Sequence, residues 1–168
     1  NLLYSEQDDT LEACIGRLLV SSGKTLSAAE SCTGGKISSL FTAIPGASRF
    51  YLGSVTSYAN SVKENLLGVS CDTICRYGAV SSECVAEMAE GVRKATGSDF
   101  SVATSGIAGP GGGSEDKPTG LVWIGVSSEK STETYKMTFN GDRERNIIRF
   151  SSSALNLLRL KIITELNL

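Results

Sequence analysis

The sequence predicts an α/β domain, one layered unit spanning residues 1–168 with a mixed β-sheet flanked by helices. Three observations carry this. Helical-period and strand-like runs alternate from residue 11 to residue 105, a late pair of strand-like runs is joined by a short turn, and glycine-rich turns follow two of the strands. At 168 residues, 40% hydrophobic and 20% charged, the chain has enough apolar surface for one substantial core.

Leu11, Cys14, Ile15, Leu18 and Leu19 recur at helical spacing and Gly23 supplies a C-terminal stop, which predicts an amphipathic first helix. Residues 25–30 read as a short strand, and 35–43 resume helical composition until Pro45-Gly46 interrupts it. RFYLGSVTSY (49–58) is rich in aromatic and β-branched residues and reads as a strand, after which Asn60 is placed to cap a short helix over 61–67. Residues 68–81 form a loop or short-helix excursion. Ser81 or Ser82 then caps a helix whose stripe is Val85, Met88, Ala89, Val92 and Ala95, ending near Gly97.

Residues 100–105 are the next strand. LVWIGV (121–126) is a nearly continuous apolar run, and 132–139 alternates, so the two pair as a hairpin through 127–131 with the second strand nearer an edge. Asp142 opens a long last helix with Ile148, Ser151, Leu155, Leu158 and Ile162 on its inner face. In such sheets ligands gather beyond the carboxyl ends of the strands, where both glycine-rich turns lie.

A formal net charge of −2 excludes a broad basic surface, so nucleic acid is not an expected partner. No apolar run approaches the ~20 residues of a spanning helix and the acidic start does not resemble a signal peptide, so no membrane association and a cytoplasmic location are expected. The five cysteines read as reduced thiols. Cys71 and Cys75 have no second pair and no histidine to complete a tetrahedral shell, so no metal is expected; Cys14 and Cys84 fall on apolar helical stripes.

The stretch AAESCTGGKISSL (28–40) sets two nucleophiles, Ser31 and Cys32, before a helix entrance whose Thr33, Gly34 and Gly35 are expected to expose backbone amides to a phosphate or an oxyanion. It matches neither the P-loop nor the G-x-S-x-G elbow. The chain contains no histidine, which excludes Ser-His-Asp and Cys-His arrangements and leaves lysine, carboxylate or tyrosine as base. Lys63 lies in the first turn of its helix, where the dipole disfavours a protonated amine, and desolvation would lower its pKa further. Tyr58 is near it in sequence and can relay the proton or orient the serine. The competing reading makes Ser31 a helix cap, Tyr58 a half-buried strand residue and Lys63 a solvated charge. Cys32 lacks an imidazole partner and reads as a small buried residue.

The second turn, GIAGPGGGSED, contributes Gly106, Gly109, Gly111 and Gly112, which either approach a ligand closely or form a flexible crossover. Thr104 and Ser105 just before it offer hydroxyls to a ribose or amide. Arg143 and Arg145 either reach a phosphate or lie in solvent.

Four strings, AESCTGG, SYANSVKENLLGV, SGIAGPGGG with KPTGLVWIGV, and FNGDRERNI, occur in an order that resembles the CinA C-terminal domain family over nearly the whole chain. The resemblance implies nicotinamide-nucleotide amidohydrolase activity: deamidation of nicotinamide mononucleotide to nicotinate mononucleotide and ammonia, with no metal or cofactor. By motif it assigns the family's serine to Ser31, its lysine to Lys63 and its tyrosine to Tyr58. Amides around Cys32 to Gly35 would stabilise the oxyanion, and the GIAGPGGG loop with nearby hydroxyls and Arg145 would hold the ribose phosphate. A homo-oligomer is expected by the same likeness. The alternatives are a non-catalytic pyridine-nucleotide binding module and a Ser-Lys amidase for other small amides. Some relatives carry an additional N-terminal nucleotide-processing domain, whose activities the resemblance does not transfer.

Overall fold

Every residue of β1 (Leu26–Glu30) is buried, because both of its edges are paired and both of its faces are covered. The computed structural model describes residues 10–168; the acid-rich 1–9 of the sequence reading lie outside that range. On one side β1 pairs in parallel with β2 (Tyr51–Thr56), and on the other with β3 (Phe100–Gly106). β4 (Leu121–Ser128) and β5 (Thr132–Thr138) then extend the sheet antiparallel, giving the order β2-β1-β3-β4-β5. The sheet is mixed as expected, with the hairpin's second strand at an edge.

Helices cover both faces. α1 (Leu11–Ser22), α2 (Lys36–Thr42) and α6 (Arg143–Leu166) pack on one face, over a core that includes Ile15, Leu19, Phe41, Phe50, Ile124, Phe150 and Leu158. α5 (Ser82–Thr96) lies across the other, with α3 (Asn60–Leu67) and α4 (Cys71–Tyr77) against it. Side chains of successive strand residues alternate between the faces, so Ala28 joins the first core and Ala29 the second.

The face beneath α5 is built from small residues. Ala29, Ala103 and Gly125 stand in one row across β1, β3 and β4, which lets α5 approach closely. A Cβ added to Gly125 would sit 2.6 Å from the Val85 carbonyl oxygen. α3 is drawn against α5 by the same device, since a Cβ on Gly91 would fall 1.8 Å from the carbonyl oxygen of Leu67, the last residue of α3. This close approach fixes the depth of α3 and therefore of Lys63, four residues earlier.

The structure corrects several sequence expectations. β2 spans 51–56 and not 49–58, because a 3-10 turn at Ala47–Arg49 precedes it and the chain leaves the sheet after Ser57, whose N–H is the last to bond the β1 carbonyls. Asn60 is the first residue of α3 and not its cap; Ala59 holds the cap position, with no side-chain bond, and its carbonyl accepts from the Lys63 amide. The 68–81 excursion, by contrast, takes the short-helix form of the expectation: it contains α4, capped by Ser70 through the Asp72 amide. Ile148 is 47% exposed, because the buried stripe of α6 runs through Asn146, Phe150, Ala154 and Leu158 and Ile148 is two residues out of phase with its start. Ala95 is exposed because the buried stripe of α5 ends at Val92. Among the described residues no helix is long and apolar enough to cross a membrane.

Gly91→Ala is expected to destabilise the protein by about 1–3 kcal/mol, the usual cost of forcing a methyl into a filled contact. Chemical denaturation should show a lower midpoint with an unchanged slope.

Candidate active site

Ser31 follows the last residue of β1, with its amide donating to the Thr104 carbonyl on β3 (3.0 Å), while the Ser57 amide after β2 donates to the Glu30 carbonyl (2.8 Å). The carboxyl ends of the three parallel strands thus converge around one side chain. The Lys63 Nζ lies 3.1 Å from Ser31 Oγ and donates to the Ser57 carbonyl at 2.7 Å, with the Tyr58 carbonyl at 3.4 Å. Lys63 is 1% exposed.

These three oxygens satisfy either protonation state of the amine. As an ammonium, Lys63 has three donors for three acceptors; as a neutral amine it keeps two donors for the two carbonyls and turns its lone pair to the serine hydroxyl. Burial is the largest influence on the group and pushes its pKa below the ordinary 10.5. The opposing influences are the charges that Cys84 and Cys32 would carry as thiolates. Burial raises both thiols, to about 11 and about 12, so neither carries charge at neutral pH. No carboxylate among the described residues forms an ion pair with Lys63.

Cys32 is 6% exposed and its thiol is held protonated, with burial the largest cause. It reaches the cleft wall but is not a ready nucleophile.

Glu30, which sequence reasoning passed over, organises the turn. Its fully buried carboxylate accepts from the Thr33 hydroxyl (2.7 Å) and from the amides of Gly35 (3.1 Å), Ile37 (3.0 Å) and Ser38 (2.8 Å). The Gly34 amide bonds the Ser31 carbonyl at 3.1 Å. The expectation that Thr33-Gly34-Gly35 would expose free amides is therefore corrected for the two glycines: an internal carboxylate already occupies the α2 entrance. In the turn, the amides of Cys32 and Thr33 are those that bond no carbonyl or carboxylate. The sequence carries only a weak signal of it, an acid closing a short strand immediately before the serine.

A cleft of about 260 Å³ opens beside Ser31 and Cys32, walled by Tyr58, by Gly106 to Gly109 with Gly111 and Gly112, and by Arg143. Gly109 and Gly112 have positive φ, 96° and 86°, so glycine is needed for the loop to follow this path. The Asn146 carboxamide anchors the loop by donating to the Ala108 carbonyl at 3.0 Å. Arg143 donates to the Gly109 carbonyl at 2.7 Å and to the Tyr58 phenol at 3.1 Å.

Of the residues singled out from sequence, Ser31, Cys32, Tyr58 and the loop glycines Gly106, Gly109, Gly111 and Gly112 are brought to this cleft, with Lys63 behind Ser31. Tyr58 is 64% exposed; its phenol meets Arg143, and the atom that reaches Lys63 is its carbonyl oxygen. Thr104 and Ser105 are buried in the scaffold, where their hydroxyls bond the Thr33 hydroxyl and the Ala79 carbonyl. Arg145 points away and pairs with Asp142 in solvent. Arg143, two residues earlier, is the one that walls the cleft, because the N-terminal end of α6 turns that position toward the loop.

Two stability outcomes follow. Glu30→Gln replaces an acceptor oxygen by an amide that faces backbone donors, and equilibrium unfolding should show a loss of about 1–3 kcal/mol. Because Lys63 binds its proton more weakly folded than unfolded, stability rises with pH up to the ordinary 10.5. The stability difference between wild type and Lys63→Met should therefore drift in favour of wild type as pH is raised from neutral toward that value.

The chain is similar to known proteins over nearly all of its length. Residues 8–162 match the family model described as the CinA C-terminal domain. The chain is 47% identical over 163 residues, 97% of its length, to a CinA-like protein of Endomicrobium trichonymphae, and 46% identical over 159 residues, 95% of its length, to one of Thermotoga maritima. It spans 38% of the length of each. Among solved structures it is similar to the competence damage-inducible protein A (ComA) of Klebsiella pneumoniae, with a TM-score of 0.87 and 37% identity over 90% of this chain and 94% of that one. It is similar also to the competence/damage inducible protein CihA of Agrobacterium tumefaciens, with a TM-score of 0.84 and 31% identity over 93% and 98%. On the match across nearly all of its length, the chain belongs to the CinA C-terminal domain family.

Proposed function

We propose that the protein hydrolyses the carboxamide of nicotinamide mononucleotide, giving nicotinate mononucleotide and ammonia, with Ser31 as nucleophile and Lys63 as its base. The observation that carries this reading is the buried Lys63 amine, 3.1 Å from Ser31 Oγ, with its two other hydrogen-bonding directions taken by main-chain carbonyls. The choice of substrate rests on the resemblance set out above together with the character of the cleft.

Neutral Lys63 takes the serine proton as Oγ attacks the carboxamide carbon. The amides of Cys32 and Thr33 receive the developing oxyanion. Lys63 then gives its proton to the departing nitrogen, ammonia leaves, and an ester links substrate to Ser31. Water attacks the ester with Lys63 again accepting a proton, which returns to Ser31 Oγ as the acid is released. The three-oxygen cradle serves each stage without rearrangement.

Glu30 already takes up the amides at the α2 entrance that a phosphate would need, which favours the other side of the cleft for the phosphate, beside Arg143 and the loop amides. Tyr58 supports the reaction at both ends, holding Lys63 through its carbonyl and Arg143 through its phenol.

Ammonia release from the mononucleotide tests the reading. Ser31→Ala should lose at least about a thousandfold in kcat, while Cys32→Ala stays within about tenfold; the reverse pattern, or no turnover by wild type, would overturn it. Tyr58→Phe keeps the carbonyl and should retain kcat within about tenfold, whereas an obligatory phenol relay would cost about 10²–10⁴. Arg143→Ala should raise KM for the mononucleotide and leave turnover of the dephosphorylated nucleoside unchanged.

A further inference from the structure

Three of the five cysteines are buried, Cys14, Cys32 and Cys84; the other two, Cys71 and Cys75, are exposed on α4. One helical turn apart, they set their sulfurs 3.8 Å from each other. The Cys71 thiol is raised above its ordinary value chiefly by its hydrogen bond with Cys75, which places the two sulfurs in one another's field. Neither lies in the cleft beside Ser31.

A spacing of this size suits an atom held between the sulfurs better than a direct sulfur–sulfur bond. Two metal–sulfur bonds of about 2.3 Å at a tetrahedral angle span about 3.8 Å. A disulfide needs Cβ atoms about 3.5–4.5 Å apart, while residues four apart on a helix hold theirs about 5–6 Å apart. The number of protein donors narrows the occupant. Among the described residues no group of three His, Cys, Asp or Glu side chains is placed to hold a metal ion, so an ion that needs three or four protein ligands does not fit. A trivalent arsenic centre already bearing one carbon substituent needs only two.

We propose that Cys71 and Cys75 form a dithiol site that captures a monosubstituted trivalent arsenical, R–As(OH)₂, as a cyclic dithioarsenite. Two As–S bonds form and two As–O bonds break. Each departing hydroxide takes one thiol proton and leaves as water, so arsenic remains trivalent and no electrons are transferred. The trivalent angle is narrower than the tetrahedral one, and side-chain rotation on the exposed face of α4 closes the difference. Cys14, Cys32 and Cys84 are buried, which limits their access to the reagent, whereas Cys71 and Cys75 are exposed.

Phenylarsine oxide, which hydrates to the phenyl form of this reagent, is the probe. Intact mass of the folded protein should show one phenylarsenic adduct per chain, retained against excess 2-mercaptoethanol and stripped by 2,3-dimercaptopropanol. Peptide mapping should place it on Cys71 and Cys75. Cys71→Ser and Cys75→Ser should each lower retention under the monothiol wash by at least tenfold. An adduct mapped to Cys14, Cys32 or Cys84, or wild-type retention in either single variant, would overturn the proposal. Mapping on the unmodified wild type decides the question independently of how the variants fold.

Discussion

A lysine side chain that is 1% exposed and, among the described residues, has no carboxylate to pair with sets the terms for the rest of this structure. Removing an ammonium from water without a counter-charge is costly enough that the group yields protons instead. The fold accepts that cost at one position only by arranging three oxygens around it, two of them carbonyls from the segment joining β2 to α3 and the third the serine hydroxyl. The same burial that destabilises the charged amine gives it the basicity that an alcohol nucleophile requires in a chain with no histidine.

The neighbouring elements keep that geometry from relaxing. The row Ala29, Ala103 and Gly125 brings α5 close to the sheet, and Gly91 brings α3 close to α5, so Lys63 has little room to withdraw toward solvent. Glu30 acts from the opposite side. Its carboxylate gathers the first amides of α2 and the Thr33 hydroxyl, and thereby closes the turn that carries Ser31. Glu30 also divides the labour between the two glycine-rich segments, because the α2 amides that a phosphate would need are already taken while those of Cys32 and Thr33 are not.

Much of the fold was legible because it is written in short-range pattern. Periodicity gave α1, α5 and α6, the apolar run of β4 and the alternation of β5 gave the hairpin, and the glycines at 23 and 97 gave helix ends, both with positive φ. The misreadings share a cause. Asn60, Ile148 and Ala95 were placed by local rules, while their actual positions depend on where the chain leaves the sheet and how far each helix extends over it. In the site, the juxtaposition of Ser31 and Lys63 was anticipated through the family resemblance, since the turn and the helix alone leave a cap and a solvated charge as the competing reading. The roles of Glu30 and Arg143 were not, because a buried carboxylate reads as an ordinary surface acid until its four donors are seen. Arg143 and Arg145 cannot be distinguished without knowing which way α6 faces.

The protonation of Lys63 can be observed at the atom concerned. Heteronuclear NMR of the protein carrying isotope-labelled lysine, assigned through Lys63→Met, follows its Cε and Nζ shifts through a pH titration. A Lys63 transition displaced below the ordinary 10.5 is the result expected of an amine that serves as a base. A Lys63 transition at or above that value would mean that the ammonium is stabilised where it lies, and would contradict its part in activating Ser31.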